Sequence, residues 1–193
     1  QPAPPVLVLG LPRGGVPVAY EVARALHAPL DVLMVRKLGL PSQPELAIGA
    51  VASGGIVVHE PAVERHFSVS PEVFQHLIER EQRELERREQ LYRAGQPLLE
   101  LHGKNVILVD DGIATGATML AAVRAAHQAG AISVMVAAPV ASVEAVTTLE
   151  READRVVVLQ CPEFFYAIGQ WYQRFEQLED QTVCDLLAQA RLL

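Results

Sequence analysis

An apolar run that ends in two carboxylates constrains this chain more than any other stretch: KNVILVDDGIATGATML, Lys104 to Leu120. Asn105 to Val109 is short and rich in β-branched residues, the composition of a strand buried on both faces of a parallel sheet. Asp110 and Asp111 stand where that strand ends. Gly112 to Thr118 is a loop of small and hydroxyl residues that runs into an apolar helical pattern. An ordinary strand–helix turn with an acidic cap accounts for one Asp, but not for two followed by Gly-x-Ala-Thr-Gly-Ala-Thr. Carboxylates accept hydrogen bonds from a diol. Loop amides and a helix N-terminus carry unpaired N–H groups and partial positive charge, which suit a phosphate. The stretch is neither a Walker A loop, since no Gly-Lys-Ser/Thr follows, nor the dinucleotide fingerprint, since the G-x-G-x-x-G spacing is missing.

The rest of the chain alternates around it. Strands are expected at Pro5–Leu9, Leu30–Val35, Asn105–Val109, Ile132–Ala138 and Arg155–Leu159. Helices are expected at Val16–His27, Gly116–Ala129 and Ser142–Glu150, with a last one from about Asp180. This pattern predicts an α/β fold: a parallel sheet with helices on both faces and a ligand at the carboxyl ends of the strands. Gln1–Pro4 reads as a disordered lead. Leu46–Ala52 and Ile56–His59 read as a hairpin turning at Ser53-Gly54-Gly55. Arg36–Pro44, polar and punctuated by Gly and Pro, reads as a mobile loop. Ser70-Pro71 opens a long helix that runs to about Ala94 and stops at Gly95. Phe74, Leu77, Ile78, Leu85 and Tyr92 form its single apolar stripe, and Glu and Arg cover its other faces. It is either an insertion lying over the core or an oligomer contact, such as that of a homodimer.

The 193 residues, half of them hydrophobic, suit one domain with a sizeable core. A formal net charge of −7 argues against general nucleic-acid binding. No apolar run approaches the roughly 18 residues of a membrane span. Cys161 and Cys184 have no metal or redox spacing, and no signal peptide is visible, so a cytoplasmic protein is expected. The chain opens on Gln1 rather than Met, so a trimmed piece of a longer chain is expected. The histidines show no metal spacing, and Arg87-Arg88 reads as a solvated face.

Two further clusters fall at strand ends. Arg13-Gly14-Gly15 follows the first strand; two glycines let backbone close on an anion, and Arg13 adds a planar cation. A glycine turn with a surface Arg is the simpler reading of the same residues. Arg36-Lys37 follows the second strand, either as a solvated basic pair or as part of the same site. The aromatic segment Phe164 to Phe175 is the third cluster.

VILVDDGIATGATM resembles the phosphoribosyl-diphosphate (PRPP) motif of type I phosphoribosyltransferases. Gly-Leu-Pro-Arg-Gly-Gly at 10–15, Val-Arg-Lys at 35–37 and the aromatic pattern from Phe165 to Phe175 resemble a bacterial subgroup of that family with no assigned acceptor. The resemblance covers almost the whole chain. It implies a Rossmann-like single domain over 1–193, with a helical insertion at 60–103, a flexible loop over the site, and a C-terminal hood and final helix at 160–193. It implies Mg²⁺-dependent transfer of a phosphoribosyl group from PRPP to a base, in nucleotide salvage, with release of pyrophosphate.

Carried over residue by residue, Asp110 and Asp111 meet the ribose hydroxyls. Gly112 and Ala114, Thr115, Gly116, Ala117 and Thr118 hold the 5′-phosphate. Arg13, Gly14 and Gly15 hold pyrophosphate, and Arg13, Arg36 and Lys37 are the catalytic cations, with Glu45 a weaker candidate. Phe165 stacks on the base with Tyr172 second, while Trp171 and Phe175 are packing. Mg²⁺ is held mainly by PRPP, with Asp110 and Asp111 nearby. The family also leads to an expected strained or cis peptide in the glycine loop, with Pro12–Arg13 as a candidate place. In the hypoxanthine-guanine branch an Asp precedes Thr-Gly as a proton acceptor. Ala114 stands there in this chain, as in the adenine and uracil branches, so no general base is named. The alternative is a PRPP-binding regulator on the same fold without transferase activity.

Overall fold

The computed structural model describes residues 4–192. Nearly all of the expected lead, residues 1–3, lies outside them. Five parallel strands form the central sheet in the order β2-β1-β6-β7-β8: β1 Val6–Gly10, β2 Leu30–Val32, β6 Asn105–Val109, β7 Ser133–Val140 and β8 Arg155–Gln160. The two motif-bearing strands are neighbours in register, with Val6 opposite Asn105 and Gly10 opposite Val109. Their carboxyl ends therefore finish side by side, and the loops that follow them share one edge of the sheet.

Helices cover both faces. On one face, α4 (Ala117–Gln128) and α5 (Val143–Leu149) bury Met119, Ala122, Ala126, Ala145 and Leu149 against Leu7, Leu9, Leu108 and Val136. On the other face, α1 (Gly15–Leu26) and α6 (Asp180–Ala190) pack Val16, Ala19, Val183 and Leu187 with Val8, Val32 and Val109. The alternation of buried positions along β6 and β7 supplies one residue to each core in turn. No described helix is long and apolar enough to cross a membrane.

The segment expected to be a loop is a β-hairpin. β3 (Val35–Leu40) pairs antiparallel with β4 (Gln43–Ala52), and β4 with β5 (Ile56–His59), as a separate three-stranded sheet. The expected strand Leu30–Val35 is consequently two: β2 stops at Val32 and β3 starts at Val35. The misreading has a physical cause. Gly39 sits at a register shift against β4, so the Gly and Pro residues that look like loop punctuation accommodate a bulge inside a hairpin. The turn itself is confined to Pro41-Ser42. The hairpin between β4 and β5 is where it was expected. A short helix α2 (Pro61–His66), absent from the sequence reading, follows it.

Ser70 caps the long helix α3 (Pro71–Arg93) by accepting from the Val73 N–H, and Ala94 closes it in a left-handed conformation. Leu77, Leu85 and Tyr92 are buried in the same core as α1 and α6. The last turn of α3 is pinned by a buried ion pair. Arg93 Nε donates to Asp31 at 3.0 Å, its NH2 donates to the Val32 carbonyl, and Glu89 lies 3.0 Å from NH1. Asp31 also accepts from the Leu99 N–H, so the carboxylate is saturated. Removing one partner of such a pair strands the other in a dry site. Arg93→Ala is expected to lower stability by about 3–5 kcal/mol, read as a lower midpoint in urea unfolding with an unchanged m-value.

Candidate functional site

β1 ends at Gly10, and its chain turns back at once: the Leu11 N–H donates to the Val109 carbonyl of β6. The Pro12–Arg13 peptide is cis. Gly14 and Gly15 then press directly on the acidic pair. A Cβ on Gly14 would lie 1.9 Å from Asp111 Oδ2. One on Gly15 would lie 2.5 Å from the Val109 carbonyl and 3.1 Å from Asp110 Oδ1. The backbone contacts leave no room for a side chain at position 15, and one at position 14 would displace the Asp111 carboxylate. The Arg13-Gly14-Gly15 cluster and the Asp110-Asp111 cluster are thus one surface.

Asp110 Oδ1 accepts from the Asp111 N–H at 2.8 Å. Among the described residues neither carboxylate forms an ion pair with a Lys, Arg or His side chain. Burial pushes the Asp110 carboxyl above the usual carboxylate range, and the neighbouring Asp111 charge adds to this. Burial likewise raises Asp111. Two carboxylates held close without a counter-charge are poised to gain from hydroxyl donors or a cation.

The loop beyond them reaches the helix with its backbone open. The Ile113 N–H donates to the Val140 carbonyl, and Ser142 Oγ donates to the Ala114 carbonyl at 2.6 Å while accepting from the Ala145 N–H. These bonds tie the loop to β7 and α5. Gly116, at φ +79°, is the N-cap of α4 and has no side chain to cap it; among the described residues the one side-chain bond at this terminus is a long one, from the Ala117 N–H to Thr115 Oγ1 at 3.4 Å. Ala114, Thr115, Ala117 and Thr118 are all exposed. An uncapped helix N-terminus behind a small-residue loop is an anion site in backbone alone.

The cations do not gather as one cluster. Arg13 lies 3.9 Å from Asp180, the first residue of α6. Arg36 and Lys37 are consecutive on β3 and leave opposite faces of the strand. Arg36 is engaged by Glu81 of α3 at 2.6 Å, and Arg80 shares that carboxylate. Lys37 is exposed and lines a pocket of about 210 Å³ with Ala117 and Leu120 of α4 and with Glu60. Only Lys37 of the two therefore stands beside the open helix terminus. Glu45 is an exposed position of β4.

The C-terminal segment folds over the glycine loop. Ile168, in a short 3-10 turn, packs on Gly112, and the Tyr172 hydroxyl donates to the Asp111 carbonyl. Burial, with the nearby Asp111 and Asp110 charges, pushes the Tyr172 phenol up to about 12, so it stays a donor. A cavity of about 460 Å³ opens between this segment and the start of α1, walled by Arg13, Gly14, Pro17, Tyr172 and Phe175. Phe165 is half-buried and stands outside that wall, whereas Phe175, expected to be packing, is half exposed within it and tilts against Tyr172. Spacing could not separate these aromatics, because a 3-10 turn at Ile168–Trp171 interrupts the run and, of these aromatics, only Tyr172 and Phe175 beyond it line the cavity with Gly14. Asp180 and Ser142 were also missed. Each reads locally as a helix start, and only their tertiary neighbours connect them to the site.

A profile of the phosphoribosyl transferase domain matches residues 2–175. Two Mycobacterium tuberculosis proteins provisionally named phosphoribosyl transferases, MT0597 (strain CDC 1551 / Oshkosh) and Rv0571c (strain H37Rv), are each 45% identical to the chain over 185 residues. The match covers 96% of this chain and 42% of theirs, so the chain spans less than half the length of these relatives. The crystal structure of TT1426 from Thermus thermophilus is 44% identical, with a TM-score of 0.86 over 96% of this chain and 87% of that one.

The buried acidic pair has a consequence for stability. A carboxyl whose folded pKa exceeds its unfolded value binds more protons when folded. Stability therefore falls as pH rises from the unfolded pKa near 4 through the raised folded value. Asp110→Asn keeps the oxygen that accepts from Asp111 and removes the charge. It is expected to stabilise the chain by about 1–3 kcal/mol at pH 8 and to flatten that decline, measured by urea unfolding between pH 5 and 8.

Proposed function

The chain belongs to the phosphoribosyl transferase family, and on that premise we propose that it transfers a 5-phosphoribosyl group from PRPP to a nitrogen base, releasing pyrophosphate. The observation that carries this reading is the contact of Gly14 and Gly15 with Asp110 and Asp111. It sets a diol-accepting pair between a cationic glycine loop and an open helix terminus, in the order in which PRPP carries pyrophosphate, ribose and phosphate.

Asp110 and Asp111 accept from the ribose hydroxyls, whose donors relieve the buried charge. The backbone of Ala114 to Thr118 and the Thr115 and Thr118 hydroxyls hold the 5′-phosphate at the α4 terminus. Arg13, Gly14 and Gly15 receive the pyrophosphate, and Lys37 faces the phosphates from the hairpin. Arg36 ties that hairpin to α3 through Glu81. The bond from C1 to the pyrophosphate oxygen breaks as a ring nitrogen closes on C1. Cationic character at C1 and negative charge on the leaving group develop together. Preorganised donors aimed at the leaving group are the main contribution such a site can make.

Among the described residues no group of three or more His, Cys, Asp or Glu side chains forms a metal cage. A pair of carboxylates without a counter-charge still fits a magnesium ion that takes most of its oxygens from PRPP and water. Bound there, the ion would neutralise leaving-group charge, and Asp110 and Asp111 would be its neighbours from the protein. The cavity walled by Tyr172, Phe175 and Pro17 offers flat apolar surface to a planar acceptor, a purine or pyrimidine. Ala114 gives that acceptor no proton-taking side chain.

Pyrophosphate release from PRPP and Mg²⁺, screened across nucleobases, tests the reaction. Release with at least one base supports transfer, whereas tight PRPP binding with no release from any base identifies a PRPP-binding regulator. Asp111→Asn is expected to weaken PRPP at least tenfold, about 1.4 kcal/mol; unchanged affinity by calorimetry would remove the diol role. Phe175→Ala is expected to raise KM for the acceptor more than Phe165→Ala does. The reverse order would move the base away from this cavity.

A further inference from the structure

Arg13 is the cation of the glycine loop, and its surroundings suggest how it is aimed. Its guanidinium lies 3.9 Å from Asp180 Oδ1, with the two side chains 35% and 48% exposed. That separation is an ion pair without a close hydrogen bond, so Arg13 is attracted to one place and keeps its N–H donors. The same Asp180 oxygen accepts from the Tyr92 hydroxyl at 2.6 Å. Tyr92 is 2% exposed in the last turns of α3, in the core shared with α1 and α6. Burial, and then the bond to Asp180, pushes its phenol up to about 12, so it remains a proton donor at any working pH. Arg87 and Arg88 also lie toward this end of α3, but Glu84 holds both. Among the described residues Arg13 is the ion-pair partner of Asp180.

We propose that Asp180 is a positioning residue for Arg13, and that the buried Tyr92 hydroxyl fixes Asp180 for this purpose. The inference rests on the reading of Arg13 as a pyrophosphate ligand. A free Arg side chain loses much rotamer freedom when it is captured by an anion, and holding the fork in place beforehand reduces that loss. Packing supplies the rigidity: α3 fixes Tyr92, Tyr92 fixes Asp180, and Asp180 confines Arg13 at the cavity wall. Asp180 also lies in the first turn of α6, where a carboxylate favours the helix dipole. The test must separate that role from positioning.

The experiment titrates the full chain with inorganic pyrophosphate and Mg²⁺ by calorimetry, which needs neither an acceptor base nor turnover. Asp180→Asn is expected to weaken pyrophosphate about two- to fivefold, the range of a half-exposed pair. Asp180→Glu should recover most of the loss, and Tyr92→Phe should give a smaller loss in the same direction. In an Arg13→Ala background Asp180→Asn should cost nothing further, a non-additivity that helix capping does not produce. A lowered Tm with unchanged pyrophosphate affinity in Asp180→Asn would overturn the proposal in favour of capping. Tighter binding would overturn it in favour of Asp180 as a competitor for Arg13. A wild-type chain that binds neither pyrophosphate nor PRPP would overturn the reading of the site itself, whatever the variants do.

Discussion

The site depends on the closeness of two strand ends. β1 and β6 run parallel and in register, so Gly10 and Val109 finish opposite each other, and the loops that follow compete for the same space. That space is shared only because Gly14 and Gly15 have no side chains. A single Cβ at either position would drive into Asp111 or into the Val109 carbonyl. The same contact buries the acidic pair, which raises both carboxyls and leaves them short of a counter-charge. A purely structural turn would gain nothing from this arrangement, since burying like charges costs stability. The cost is offset only when something with hydroxyls or positive charge arrives.

Much of the fold was legible because its signals are local. The apolar runs of β1, β6, β7 and β8 and the Ser142 and Ser70 caps are read from a few adjacent residues, and each appears within a residue or two of its expected place. The hairpin of β3 and β4 was not legible. Its residues belong to a separate sheet that is half solvated, and its bulge at Gly39 imitates the punctuation of a loop. The error has a functional side. In a loop, Arg36 and Lys37 could close on one ligand together. In a strand they part, and the pleat sends Arg36 to Glu81 and Lys37 toward α4.

The candidate site divides along the same line. Residues proposed to act through the backbone or a motif are visible in one dimension: Gly14, Gly15, Asp110, Asp111 and the run from Ala114 to Thr118. Side chains that act across the tertiary structure are not. Ser142 ties the Ala114 carbonyl to α5 from 28 residues away. The choice among Phe165, Tyr172 and Phe175 depends on a 3-10 turn between them that no spacing rule encodes.

The long helix shows how the two kinds of information combine. Its stripe of Phe74, Leu77, Ile78, Leu85 and Tyr92 predicted one buried face, and the structure packs it against α6 and the hairpin, with Leu77, Leu85 and Tyr92 fully buried and Phe74 and Ile78 partly so. A helix required only for packing would do as well with Phe as with Tyr at position 92. Its hydroxyl is carried into the core and spent on Asp180, whose other neighbour is the cation of the glycine loop. A buried hydroxyl must find a partner, and an interior acceptor would have satisfied it. The partner here is instead a half-exposed carboxylate beside Arg13. The segment that breaks the alternation of strand and helix thereby touches the surroundings of the glycine loop through Tyr92 and the hairpin through Glu81. On the proposed positioning of Arg13, α3 supports the glycine loop as well as packing on the core.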